Sequence, residues 1–448
     1  MRTATPLQPA GHPRPVPPPR DRVSWLGPAL GLAAWVGLVA AGRLLIEPLY
    51  HDDYRIHVGN PPLVGRLHLE ASWALAPAVL LGAVAIVWGP ALAERLPWRK
   101  LLVLAGALAF AWAFALAASD GLHAVIKPII SRYEYLHDVP MVDRTPDFLG
   151  SFTALAPLYT FHVHAHPPLM LMVFWAMSKI GLGGGWAAAL AVIGMGALTA
   201  PAALVAAREL AGEARARAAA PFLALAPAAL WIATSPDAFY AGVAAIGIAL
   251  FVVASGREGD ARADAYGFAA GLTLGAALFL SYGVTTLGIL VVAIALWRRA
   301  LRAFLFAAAG VTCVALGFLA AGFSWYEGLQ AARELQLAGV YELRPYAEFL
   351  VASPAAFALV VGPATAVGLA RLRVPGVWIL TGPALLGILV ADLSGYARGE
   401  TERVWLQFAP WILLATAAVS STLGGRRAWL AVQVVLALIL QVAAQSPW

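Results

Sequence analysis

Leu101-Leu-Val-Leu-Ala-Gly-Ala-Leu-Ala-Phe-Ala-Trp-Ala-Phe-Ala-Leu-Ala-Ala118 is an unbroken apolar run that stops at Ser119-Asp120-Gly121. Wound as a helix, such a stretch satisfies its own backbone hydrogen bonds and covers most of the roughly 30 Å of a hydrocarbon core. Runs of the same kind recur on both sides of it. They fall at 24–46, 69–92, 184–207, 219–235, 238–255, 266–281, 283–297, 303–321, 348–369, 377–391, 406–422 and 428–444. Of the 448 residues, 61% are hydrophobic and 12% charged, and the mean hydropathy is +0.77. A soluble domain carries about 25% charged residues. The expected fold is an all-α polytopic membrane protein of about thirteen transmembrane helices.

One further apolar stretch, 168–181, is too short to cross and reads as a juxtamembrane helix in the outer leaflet. The distribution of charge agrees. With thirteen spans and the N-terminus inside, the cytoplasmic segments are 1–23, 93–100, 208–218, 256–265, 298–302, 370–376 and 423–427. They hold 19 of the 30 Lys and Arg residues but 7 of the 24 Asp and Glu residues. Making 168–181 a span would put Arg298, Arg299, Arg426 and Arg427 outside, against the positive-inside rule. Residues 1–23, rich in Pro and Arg, read as a disordered cytoplasmic tail, and the first span as an uncleaved signal anchor. The single cysteine, Cys313, excludes an intramolecular disulfide and a Cys-based metal site. The net charge of +6 sits largely in the loops that set orientation and gives no case for nucleic acid as a partner. Abundant Ala and scarce Lys point to a GC-rich bacterial genome, hence a bacterial plasma membrane.

The acids lie mostly on the other face. Outside the cytoplasmic segments lie 17 of the 24, and the longest outer segment, 119–183, is too long for a connector. It opens with Asp120 and continues through Ser131-Arg-Tyr-Glu-Tyr-Leu-His-Asp138. If 131–138 is helical, Glu134 and Asp138 share one face, and repulsion plus desolvation raise one pKa into the range of a general base. The alternative is a solvated helix compensated by Arg132. In Phe161-His-Val-His-Ala-His-Pro-Pro-Leu169, an extended strand would point His162, His164 and His166 the same way, a weak metal pattern without a carboxylate. His166, before two prolines, reads as the N-cap of the 168–181 helix, where N–H groups attract an anion such as phosphate. Asp237 occupies a tight Thr-Ser-Pro-Asp turn against hydrocarbon, which suits either function or plain turn chemistry. In 392–405, Arg398 and Arg403 have the planar fork that clamps phosphate, with Glu400 and Glu402 to orient them. Trp325-Tyr-Glu327 with Arg333 and Glu334 reads equally as a sugar border or an interfacial helix. His51, Asp52, Asp53 and His57 read as a solvated loop.

The segment 119–255 resembles the core of the GT-C glycosyltransferases, in particular protein O-mannosyltransferases and aminoarabinose transferases. The features that carry the resemblance are an acidic first outer loop, His166-Pro-Pro-Leu169, a short juxtamembrane helix, the Arg-rich turn Arg208 to Arg217, and the Pro236-Asp237 turn. Within that group the chain looks like an uncharacterised actinobacterial branch. The resemblance implies a two-helix extension at 24–98 before a GT-C-like core at 99–448, with an outward active site in 119–183. It also implies a polyprenyl-phosphate-linked sugar donor and transfer with inversion to a glycan, lipid or protein acceptor of the cell envelope. Glu134, Asp138 and Asp120 match the catalytic position. His166, Arg403, Arg132 and Arg398 are expected near the donor phosphate, and His162, His164, Asp237, Glu400 and Glu402 near the substrates. No cofactor is firmly implied; a divalent cation is compatible. The rival classes are a transporter or lipid flippase, for which midplane charges and internal repeats are missing, and a non-catalytic envelope assembly protein.

Overall fold

The computed structural model describes residues 26–445 except 234, 258 and 340; the expected tail 1–23 lies outside the described residues. The chain is an all-α polytopic membrane protein. Among the described residues, nine helices are long and apolar enough to cross a bilayer uninterrupted. They coincide with the expected segments beginning at 24, 69, 101, 184, 238, 266, 303, 377 and 428. The other four expected spans are broken. Segment 348–369 is two helices, Tyr346–Val361 and Pro363–Arg371, bent by 93°. Segment 219–235 is divided into Glu213–Ala224 and Ala229–Ile232, because Pro227 lacks an N–H and disfavours helical backbone at Ala226. Segment 283–297 opens with the 3₁₀ stretch Tyr282–Leu287, and 406–422 closes with Leu414–Ala418.

Three of the broken segments still run from one end of the bundle to the other, as the contacts at their ends show. At one end Arg217 donates to the carbonyls of Ala93 (2.7 Å) and Leu96 (2.8 Å), and Arg426 pairs with Glu94 at 2.8 Å. Arg298 donates to the Glu209 carbonyl and Arg371 to that of Val419. These are the segments expected in the cytoplasm. At the other end Ser72 donates to the Ser119 carbonyl, Thr401 to that of Ser353, and Gln407 to that of Gly283. Three of the four broken segments have a residue in each set: Gly283 and Arg298, Ser353 and Arg371, Gln407 and Val419. By length and composition, the described residues hold nine spans, or ten with the bent pair taken as one. Helix Leu169–Lys179 does not cross: Lys179 returns to Asp143, in the same loop, at 2.6 Å.

Two devices make the irregular paths tolerable. Where helices Ala261–Leu280 and Leu301–Ala320 touch, a Cβ on Gly271 would lie 2.0 Å from the Ala307 carbonyl oxygen, so only glycine permits the close approach. At the 93° bend, Gly362 has φ +71°, and the freed backbone groups are served by Gln433. This fully buried amide donates to the Val361 carbonyl (2.9 Å) and accepts from the Ala364 N–H (3.3 Å). Polar backbone without a helical partner is costly in the membrane unless protein supplies one. Strand fragments Val58–Gly59, Gly65–Leu67 and Ala444–Gln445 tie the loop after the first traverse to the end of the last.

Candidate active site

The loop 119–183 is a string of short helices punctuated by prolines at 128, 140, 146, 157, 167 and 168. The expected helix over 131–138 does not form. Glu134 is extended (φ −101°, ψ 166°) and a 3₁₀ turn follows at Tyr135–His137. The two carboxylates therefore part company, each drawn to a partner more than twenty residues away. Asp138 accepts the Thr160 N–H at 2.7 Å and holds the loop closed. Glu134 turns inward, where its Oε1 lies 3.5 Å from His162 Nδ1 and its Oε2 is buried with no hydrogen-bond partner among the described residues.

Residues Phe161–His164 form a helical turn rather than a strand, so the three histidines do not point together. His162 and His166, four apart, share a face; His164 turns away against Phe161. His166 does not cap the following helix. Pro168 occupies the N-cap position, and His166 Nδ1 shares a hydrogen with the His162 carbonyl at 2.8 Å. Its ring packs on Tyr240 and Tyr135, and its Nε2 comes within 3.9 Å of Asp237 Oδ1. The helical turn removes the geometric basis for a three-histidine metal site, and no group of three His, Cys, Asp or Glu among the described residues is arranged to hold a metal ion.

Asp237 and Arg403, 166 positions apart, meet at 2.7 Å. Ser235 donates to the same carboxylate oxygen at 2.6 Å, an Asx-type contact of the turn. On its other side Arg403 forms a short ion pair with Glu400. Glu400 adopts φ +61° after Gly399 at φ +82°. A non-glycine residue there costs roughly 1 kcal/mol, tolerated where surrounding contacts fix it. The fixing contact is Arg344, which reaches Glu400 at 3.4 Å and also donates to the carbonyls of Ile56 and Arg398. Arg403 is 3% exposed and Glu134 2%. A cation this buried is held by its two carboxylates, and removing either one would leave the buried charge only partly compensated.

Burial also sets the titration of the surrounding groups. The Glu134 carboxyl is pushed up to about 8 by desolvation, against the attraction of Arg403. Desolvation lowers His162 well below the usual imidazole value and lowers His166, so both rings are neutral at neutral pH.

His162, His166, Glu400 and Arg403 form one wall of a cavity of about 240 Å³. Tyr282, Trp325, Tyr396 and Trp405 contribute to the rest. Glu134 is not part of the wall and communicates with it through His162. Several expected site residues are elsewhere. Asp120 is exposed where the third traverse ends. Arg132 is exposed and folds onto the Tyr133 ring. Arg398 is spent on the carbonyls of Tyr341 and Arg344. Glu402, fully buried, accepts the Val64 N–H at 3.0 Å and is pushed up to about 7 by burial. Sequence reasoning missed Arg344, Ser235 and the Tyr240–Tyr135 hydroxyl pair at 2.7 Å. Of these only Ser235 had a local signal, the Ser-Pro-Asp turn.

No model of a protein family matches the chain, and no curated protein matches it. Among solved structures, the chain is similar to the oligosaccharyltransferase of Archaeoglobus fulgidus, a crystal structure of a complex with Zn and sulfate, at 17% identity and a TM-score of 0.39. The likeness covers 63% of this chain and 45% of that one, so the chain spans under half the length of this neighbour.

Proposed function

We propose that this protein is a membrane glycosyltransferase of the GT-C type. It moves a sugar from a polyprenyl-phosphate donor to a cell-envelope glycan, lipid or protein on the outer face of a bacterial plasma membrane. The observation that carries the reading is the convergence on one cavity of a buried Glu134–His162 pair and the Asp237–Arg403–Glu400 triad. They come from outer segments far apart in sequence, at the end of the bundle away from the Arg-rich loops.

The chemistry follows from that arrangement. Neutral His162 in the wall takes the proton of the acceptor hydroxyl, and Glu134 behind it stabilises the imidazolium or accepts the proton from Nδ1. This is the base-and-orienter logic of nucleophile activation. The acceptor oxygen attacks the anomeric carbon on the face opposite the lipid phosphate. One C–O bond forms as the C–O bond to phosphate breaks, and configuration inverts. The departing phosphate faces the wall of Arg403 and His166, and fixed groups at developing charge are usually the largest catalytic term. Asp138 has a structural task in this scheme, and Asp120 none.

The test is transfer by the purified chain in lipid nanodiscs, supplied with radiolabelled polyprenyl-phosphate sugars and bacterial envelope acceptors. Transfer that drops at least about a hundredfold in Glu134→Gln and in His162→Ala supports the assignment. Absence of transfer from every donor, or full activity in both variants, overturns it.

A further inference from the structure

The cavity has two chemically different halves, and only one belongs to the charged cluster. In the other half, among the described residues, no Lys, Arg, Asp, Glu or His lines the wall. It is made by the helix Trp325–Leu337, by Tyr282 and by Tyr396. Trp325, Leu329 and Gln336 all reach it from that helix. They sit at i, i+4 and i+11, which a period of 3.6 brings to one face. The Trp325 ring is anchored by its Nε1–H to the Leu278 carbonyl (2.9 Å) and meets Tyr282 edge to face at 5.3 Å. Tyr396 is pinned by its hydroxyl to the Leu329 carbonyl at 2.9 Å. These aromatic surfaces are rigid before anything binds.

One polar group in this half has nothing to do. The Gln336 side-chain oxygen is shielded from solvent and has no hydrogen-bond partner among the described residues. A buried amide oxygen without a donor is unfavourable unless an occupant supplies one. An aromatic wall with a neutral hydrogen-bonding group suits a ligand with C–H faces and hydroxyl edges. A hydroxyl serves either end of an amide, whichever is turned inward. A prenyl chain would match the rings but leave Gln336 unsatisfied, and an anion would find no cation there.

From this we infer that the Trp325–Gln336 half of the cavity is a subsite for one neutral pyranose ring, with Gln336 bound to a sugar hydroxyl and Trp325 and Tyr282 against its C–H faces. The whole cavity measures about 240 Å³, so its aromatic half takes one ring rather than an oligosaccharide. His162 lines the same cavity, so a ring held there lies in the chamber that the proposed base faces. The inference deepens the transferase reading and rests on it for its role, but its test needs no transfer.

The experiment is saturation-transfer NMR on the full chain in nanodiscs free of glycoside detergent. The probes are methyl glucopyranoside, methyl mannopyranoside and methyl galactopyranoside, with glycerol and farnesol as controls. At least one pyranoside should bind saturably, with a dissociation constant on the order of a millimolar for so small a ligand. Gln336→Leu, nearly isosteric, should weaken it about fivefold or more, and Trp325→Phe, which keeps an aromatic ring, should weaken it as well. If no pyranoside binds, if Gln336→Leu binds as well as the native chain, or if farnesol saturates the site instead, the subsite is wrong. Transfer without pyranoside binding overturns the subsite alone. Gln336-dependent binding in a chain that transfers nothing overturns the transferase reading alone.

Discussion

Replacing Glu134 by Gln should make the protein more stable and less active, and both effects should grow as pH rises. Burial moves this carboxyl from its usual 4.5 to about 8. Its folded-state pKa is thus raised above the unfolded value, so its contribution to stability is complete below pH 4.5 and shrinks as pH rises, until it is lost near 8. Each tenfold change in the ionisation equilibrium is worth about 1.4 kcal/mol, so the loss across that window amounts to about 4–5 kcal/mol. Glutamine is the neutral isostere of the protonated form and carries no such penalty. Chemical unfolding of native protein and Glu134→Gln in mixed micelles from pH 5 to 9 should show the variant gaining on the native chain with pH, with a plateau above about 8. Taking the difference between the two curves removes Glu402, whose carboxyl also titrates near 7. Turnover of the native chain should climb over the same range, because Glu134 supports the His162 base only when ionised, and Gln should abolish it. A flat difference curve, or a variant less stable than native at pH 8.5, would refute the buried-carboxyl argument.

Arg403→Lys keeps the charge but cannot bridge Asp237 and Glu400 with one planar group, so transfer should fall at least about tenfold. Arg403→Leu leaves the buried Asp237 without its arginine and Glu400 with Arg344 alone, and should destabilise by about 3–5 kcal/mol; adding Asp237→Asn should restore part of that, and an additive double variant would disprove the shared cluster. For topology, single cysteines in a Cys313→Ser background should label from outside at 143 and 327 and stay protected at 213 and 260. Outside labelling of 213 would invert the orientation and remove the outward active site.

Hydropathy located the nine long apolar helices and the bent pair, and it marked three further segments that are broken, because it measures apolar length and is blind to backbone path. The breaks had their own signals in Ala226-Pro227 and Gly362-Pro363, but only the packing around them reveals that protein, not lipid, surrounds the irregular turns. Asp237, Glu400, Arg403, His162 and His166 stood out because ionisable groups beside hydrocarbon need a reason. Their mutual partners were not readable. Arg344 reaches residues 56, 398 and 400, and nothing near it in the chain announces this. The 131–138 helix failed for the same reason. A helix there would set two like charges at i and i+4, at a cost of a few tenths of a kcal/mol, whereas the Thr160 N–H and the His162 ring offer each carboxylate a distant partner.

The Gln433 amide stitches a bend that lies 72 positions earlier in the chain. During synthesis, the helices Tyr346–Val361 and Pro363–Arg371 leave the ribosome well before the residue that completes them. Until Leu423–Ala443 arrives, the Val361 carbonyl can fall back on the Thr365 hydroxyl, 2.6 Å away, while the Ala364 N–H has no such local substitute. The sharp turn can thus become final only when the last traverse is in the bilayer. That turn leads directly from Ser353 and Phe349, which pack against Gly399, the neighbour of Glu400. Maturation of the wall of the proposed site is in this way coupled to completion of the chain, and an incompletely inserted protein would lack a finished cavity.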